Sequence, residues 1–239
     1  MEFIKKFKSN IIVLSIFIFA FLITLIKNLF FTRYIHYESI LIALVPLILY
    51  SISLYIVVKN NKKIKWTRFS NFFNLILFLL IVIINFFYIS FKDSTGTIKN
   101  ISSYNRILRI YNYDENPLIN HFPVSIPKDA SDIEFLEHPQ FLQGSAQMYL
   151  KYKLPEEKFK NLDKKLIEKN YKEIDNFSEV AEEIEIPKSV KEFLNNGSSK
   201  YKIFLVDKED YENNLSNGGT FGIALNYSNS SVMYWSESL

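Results

Sequence analysis

Cysteine is absent from this chain of 239 residues. That excludes disulfides, thiolate nucleophiles and cysteine metal sites. Glycine is scarce, six residues in all, and none precedes Gly96. A Gly-x-x-x-Gly seam between membrane helices is therefore excluded. Acidic residues are nearly missing from the first 92 positions, where Glu2 and Glu38 stand against eleven lysines and arginines. The net charge of +3 thus divides into about +9 before residue 93 and about −6 after it. A basic apolar half joined to an acidic polar half argues against nucleic acid as a partner, since a nucleic-acid binder needs its basic face on the soluble part.

What the first 92 residues do have is apolar length. Ser9–Ile26 lies uncharged between Lys8 and Lys27 and continues through Phe31, with Lys27 reaching to the interface. Ser39–Val58 lies between Glu38 and Lys59, and Phe69–Phe91 between Arg68 and Lys92. Runs of about 20 residues cover the roughly 30 Å hydrocarbon core of a bilayer. The expectation is three transmembrane helices at about 9–31, 39–58 and 69–91. The first run opens with Lys5, Lys6 and Lys8 like a secretory signal, but no small-x-small cleavage site follows over Lys27–Tyr34, so an uncleaved anchor is expected.

Orientation follows from the loops. Lys59–Arg68 carries Lys59, Lys62, Lys63, Lys65 and Arg68 and no acid, which marks a cytoplasmic loop. The loop between the first two spans holds only Lys27 and Arg33. The N-terminus is expected inside and everything after about Lys92 outside. No span has an ionisable residue near its middle, unlike the helices of pumps and channels. Asn71, Asn74 and Asn85 fall on one side of the third helix at about 100° per residue. Two readings stand: packing against the other two helices, or contact with another membrane protein or a second copy.

Beyond the spans, Asp93–Asn105 is polar and unperiodic and reads as a linker. Residues 106–239 read as one α+β extracytoplasmic domain with a mainly antiparallel sheet. Asn112–Lys128, with Pro117, Pro123 and Pro127, is expected to be irregular. Asp132–His138 and Ala146–Leu154 read as strands. In the second, Met148, Leu150, Tyr152 and Leu154 alternate with Tyr149, Lys151 and Lys153. Pro155–Asn170 reads as a helix, with acids in its first turn and lysines in its last. Weaker helical turns are expected over Ser178–Ile184 and Lys188–Asn196. Tyr201–Asp207 reads as a strand, and Thr220–Tyr227 with Ser231–Ser236 as a hairpin turning at Ser228–Ser230.

No catalytic, cofactor or metal motif is found. His121 and His138 lack the spacing that places two ligands on one metal. Asp207, Glu209, Asp210 and Glu212 lack the frame of a calcium loop. Glu182, Glu183 and Glu185 read as a solvated face, and Gly144-Ser145 is not a nucleophile elbow. The interaction candidate is the loop Glu137–Gly144, whose His138, Phe141, Leu142 and Gln143 stand at an expected hairpin tip. Phe141 and Leu142 either fold back over the core or meet a partner.

His121-Phe122-Pro123, Ile126-Pro127, Phe141-Leu142-Gln143-Gly144 and Tyr152-Lys153-Leu154-Pro155 together resemble an uncharacterised group of bacterial membrane-anchored proteins. The resemblance covers residues 120–156 only. Ser145 stands where such proteins often have a second glycine. It implies the same architecture and no activity. The leading expectation is a non-enzymatic module, anchored in the lipid bilayer, whose acidic domain binds a protein or a cell-envelope component. The alternatives are an envelope enzyme with a scattered site and a small accessory or immunity-type membrane subunit.

Overall fold

The computed structural model describes residues 2–59, 64–140, 146–169, 171–174, 187–195, 201–206 and 219–238. The chain divides into two compact units, Met1–Asp93 and Ser94–Leu239. Phe141, Leu142 and Gln143, the helical turn expected over 178–184, Glu182, Glu183 and Glu185, and the acids of 207–212 lie outside the described residues.

The first unit is built from α1 (Glu2–Phe30), α2 (Tyr37–Lys59) and α3 (Ile64–Thr95). Each contains a stretch long and apolar enough to cross a membrane: Asn10–Phe30, Tyr37–Ile56 and Asn71–Thr95. Pro46 lies inside α2, which continues through it. At the middle of the bundle the Phe17 and Phe78 rings stack at 4.0 Å, and Phe17 meets Tyr50 at 5.0 Å. Val13 completes this core, with Leu47, Leu75 and Val82 packed against it. Exposed Ile, Leu and Phe cover the outer surfaces. In lipid such a surface needs no partner, whereas the backbone polar groups are satisfied within each helix.

The second unit is an antiparallel sheet of six strands among the described residues: β1 (Ser131–His138), β2 (Ala146–Lys153), β3 (Lys172–Ile174), β4 (Tyr201–Leu205), β5 (Gly219–Asn226) and β6 (Ser231–Ser238). Their order is β1-β2-β6-β5-β4-β3. Directly opposed residues share a face, so the register divides the core in two. On one face Ile203, Leu205, Ala224, Met233 and Trp235 pack against Val190, Phe193 and Leu194 of α6 (Lys188–Asn195). The opposite face carries Phe135, Leu150, Tyr152 and Tyr234. The Tyr104 ring lies edge-on to Phe135 at 5.5 Å, and Phe122 lies 5.9 Å from Tyr234. With both faces covered, β6 is buried from Ser231 to Ser236, which explains its unbroken Val-Met-Tyr-Trp run. Tyr227–Ser230 closes the β5–β6 hairpin, where Asn226 and Asn229 side chains accept from the Ser228 and Ser231 amides. In α5 (Glu156–Glu168), Phe159 and Leu166 are the buried residues, and Phe159 meets Tyr227 edge-on at 5.3 Å.

The segment 93–105, which composition marks as a linker, is structured. α3 continues to Thr95, Ile98 pairs with Glu137, a 3-10 turn spans Ile101–Ser103, and α4 occupies Tyr104–Ile110. Of the polar residues that suggest a tether, Asn100 caps the turn, its side chain accepting from the Ser102 amide. Ser103 and Tyr104 are buried.

Candidate functional site

Of the four interaction candidates His138, Phe141, Leu142 and Gln143, only His138 lies among the described residues, and it begins a polar row across the sheet. It opposes Gln147 of β2, Gln147 opposes Glu237 of β6, and Glu237 opposes Thr220 of β5. All four therefore project from the face that α6 covers farther along. Gln147 Nε2 donates to Glu237 Oε1 at 2.8 Å, and the Tyr149 hydroxyl donates to Glu237 Oε2 at 2.7 Å. Both carboxylate oxygens are thus held. Burial pushes the Tyr149 phenol well above its ordinary pKa, Glu237 adding to that rise, so it stays a neutral donor. His138 Nδ1 lies 2.9 Å from Thr97 Oγ1.

The row borders the α6 cluster, against which Tyr149 packs. Leu136, His138, Gln147, Tyr149 and Lys151 are all half-buried. Farther along, Lys151 pairs with Glu134 at 2.8 Å and Lys153 with Asp132 at 2.6 Å. Lys153 holds the Asp132 carboxyl below the usual carboxylate range. A half-buried tyrosine, a fixed carboxylate and a histidine on a rigid sheet can bind by hydrogen bonds and aromatic contact. Among the described residues no three metal-ligating side chains converge. The second histidine of this unit, His121, is buried, its Nε2–H donating to the Trp235 carbonyl at 2.8 Å. That makes it part of the core.

In the first unit the asparagines lie in two polar layers on either side of the Phe17–Phe78 stack. In one, Asn71 Oδ1 accepts from Asn10 Nδ2 at 3.1 Å and from the Tyr50 hydroxyl at 3.0 Å, joining all three helices. In the other, Asn85 Nδ2 donates to the Ser39 carbonyl at 3.1 Å. Asn74 is half-buried. Asn71 and Asn85 thus bond between helices of one chain. Asn71→Leu should lower the thermal unfolding temperature of the bundle in micelles, at a cost of about 1–2 kcal/mol for two interhelical bonds. An unchanged melt would show these bonds to be dispensable.

A cluster that sequence reading missed lies beside the second layer. Asp93 Oδ1 accepts from the Arg33 amide at 2.9 Å and lies 3.3 Å from His36 Nε2. The Arg33 guanidinium donates to the Asp93 carbonyl, and the His36 amide donates to Asn28 Oδ1 at 3.1 Å. These groups fasten the α1–α2 loop to the end of α3. Their only sequence signal is a charge at each helix end, which periodicity does not detect.

No protein-family model, no curated protein and no solved structure matches this chain.

Proposed function

We propose that the protein is a non-enzymatic module of a bacterial cell membrane, with its N-terminus cytoplasmic and its C-terminal unit outside, where it binds a protein or an envelope component. The carrying observation is the division of labour between the units. The helices bond to one another through their polar layers and close their middle with Phe17 and Phe78. That suits an anchor, since a conducting or transporting bundle keeps polar groups at mid-membrane. The second unit holds a half-buried polar and aromatic patch around Tyr149 and Glu237, built on paired strands. Orientation rests on the basic Lys59–Arg68 loop against the sparse 27–33 loop. The acidic charge of the part after Lys92 favours a partner with basic groups.

Two measurements in intact cells test this. A reporter fused after Leu239 should be active outside the cytoplasm, and one inserted at Asn61 active inside; a cytoplasmic signal from the first overturns the orientation. A photo-crosslinking residue at Gln147 should capture a discrete partner that the same residue at Asn229, in the β5–β6 turn, does not. Equal capture at both positions, or none at either, overturns the binding face.

A further inference from the structure

The end of the bundle that holds the α1–α2 loop carries Lys27, Arg33 and Lys92 against Glu38 and Asp93. Both carboxylates are taken. Glu38 pairs with Lys92, and Asp93 Oδ1 accepts from the Arg33 amide and lies beside His36 Nε2. Lys27 forms no ion pair among the described residues, and the Asp93 charge reaches it only from beyond ion-pair distance. Its ammonium is seated on α3 instead. Nζ donates to Ser90 Oγ at 3.1 Å and stands 3.9 Å from the centre of the Phe86 ring. Phe86 and Ser90 are one turn apart and so present one face to it. A ring and a hydroxyl fix the ammonium without neutralising it: of its three N–H donors the hydroxyl accepts one.

We propose that Lys27, held in this seat by Ser90 and Phe86, binds the phosphate of an anionic phospholipid at the seam of α1 and α3. This rests on the membrane reading above and not on the binding role of the second unit. Depth suits the ligand. Lys27 lies in the last turn of α1, whose apolar span ends at Phe30, about 4–5 Å farther along the helix. A lysine stem there reaches the headgroup layer. Charge decides the class of lipid. Three cations against two carboxylates leave this end one positive charge over. A net-negative headgroup neutralises it, whereas a zwitterionic one brings a second cation towards Lys27 and Arg33. Ile23, Phe30 and Phe87 are exposed on the two helices, and acyl chains lying on them give a lipid contacts that a free anion lacks.

Native mass spectrometry of the full chain tests this, with release from micelles holding equal amounts of phosphatidylglycerol and phosphatidylcholine of the same acyl chains. The unaltered chain should retain phosphatidylglycerol about five-fold or more over phosphatidylcholine, the scale of one lysine at an anionic surface. Lys27→Gln should bring the two close to parity, and Lys27→Arg should keep the preference. Lys8→Gln, which removes the same charge elsewhere on α1, should leave it unchanged. Equal retention by the unaltered chain means that water alone answers the ammonium, and overturns the site whether or not the variants fold. A preference that survives Lys27→Gln, or that Lys8→Gln lowers as much, belongs to the overall charge and overturns it too. Displacement of the lipid by excess inorganic phosphate would make this a free-anion site and overturn the lipid. A chain that retains neither lipid and does not enter bilayer discs overturns the membrane reading, and the site with it.

Discussion

Raising the pH above 10 should unfold the C-terminal unit, with a slope of about 1.4 kcal/mol per pH unit for each phenol that keeps its proton in the fold. Four phenols set that slope. Burial holds Tyr104, Tyr149, Tyr152 and Tyr234 above the ordinary tyrosine value of 10.0, with Tyr234 displaced furthest into the core. Neighbouring tyrosines add to the rise for Tyr104 and Tyr234. The Tyr152 hydroxyl lies 3.4 Å from that of Tyr234; the contact eases ionisation of Tyr152 and opposes that of Tyr234, so burial alone holds Tyr152 up. A raised phenol pKa means the folded state keeps a proton that the unfolded state gives up. Its contribution is full below pH 10 and is lost as pH rises from 10 towards the folded value. Each such proton is worth about 1.4 kcal/mol per pH unit. A domain stable by about 5–15 kcal/mol loses its margin as several such protons are withheld together. Near-ultraviolet circular dichroism of the full chain in micelles should lose its signal in step with the appearance of tyrosinate absorbance. Tyr234→Phe should make the slope shallower by about one proton. Gradual tyrosinate formation with the fold intact would show these phenols to be open to water.

Acid should act more weakly. Lys158, Lys153 and Lys160 hold the carboxyls of Asp129, Asp132 and Glu156 below their ordinary range. Their support is present above the unfolded pKa and lost as pH falls through the folded one. All three lie at the surface, where solvent screens such pairs to little net worth.

What could be read in advance divides along a physical line. Signals local in the chain were legible. The three apolar spans, the alternation of Met148, Leu150 and Tyr152, the helix after Pro155 and the turn at Ser228–Ser230 each follow from neighbours in sequence, and the fold class follows from them. α4 escaped because seven residues make a weak periodic signal. Its marks were present: Tyr104, Ile107 and Leu108 share one side, and Asn112 takes a positive φ of 52° where the chain leaves the helix. The polar row was not legible at all. His138, Gln147, Glu237 and Thr220 become neighbours only through the register of four strands, and Gln147 and Glu237 are 90 residues apart. The asparagine stripe stands between these cases. Helical angles put Asn71 and Asn85 on one side, but that Asn10, Tyr50 and Ser39 answer them depends on how the helices pack. Likewise the 93–105 segment looked like a tether because pairing of Ile98 with Glu137 is invisible in its own composition.

Gly222→Ala should destabilise the C-terminal unit by about 1–3 kcal/mol, although it adds one methyl group in a strand where alanine is ordinarily no worse than glycine. Gly222 opposes Trp235 on the face packed by α6. A Cβ at 222 would overlap the indole at Cζ2 and Cη2 and stand 2.7 Å from the Phe204 carbonyl oxygen on the neighbouring strand. The ring lies over the glycine as its side-chain substitute, filling the space the missing Cβ leaves. Trp235 is fully buried, so it cannot swing outward without opening the core between the sheet and Val190, Phe193 and Leu194. Its own removal, Trp235→Ala, should cost about 3–5 kcal/mol. The decisive measurement pairs the smaller changes. Trp235→Phe withdraws the outer indole atoms, so Gly222→Ala in that background should cost less than in the native one, by at least about 0.5 kcal/mol. Relief should be incomplete, because the Phe204 carbonyl belongs to the β4 backbone and cannot retreat. Denaturant unfolding of the four chains measures the coupling. Additive losses, or a Gly222→Ala chain as stable as the native one, would mean that the indole and residue 222 do not share this space.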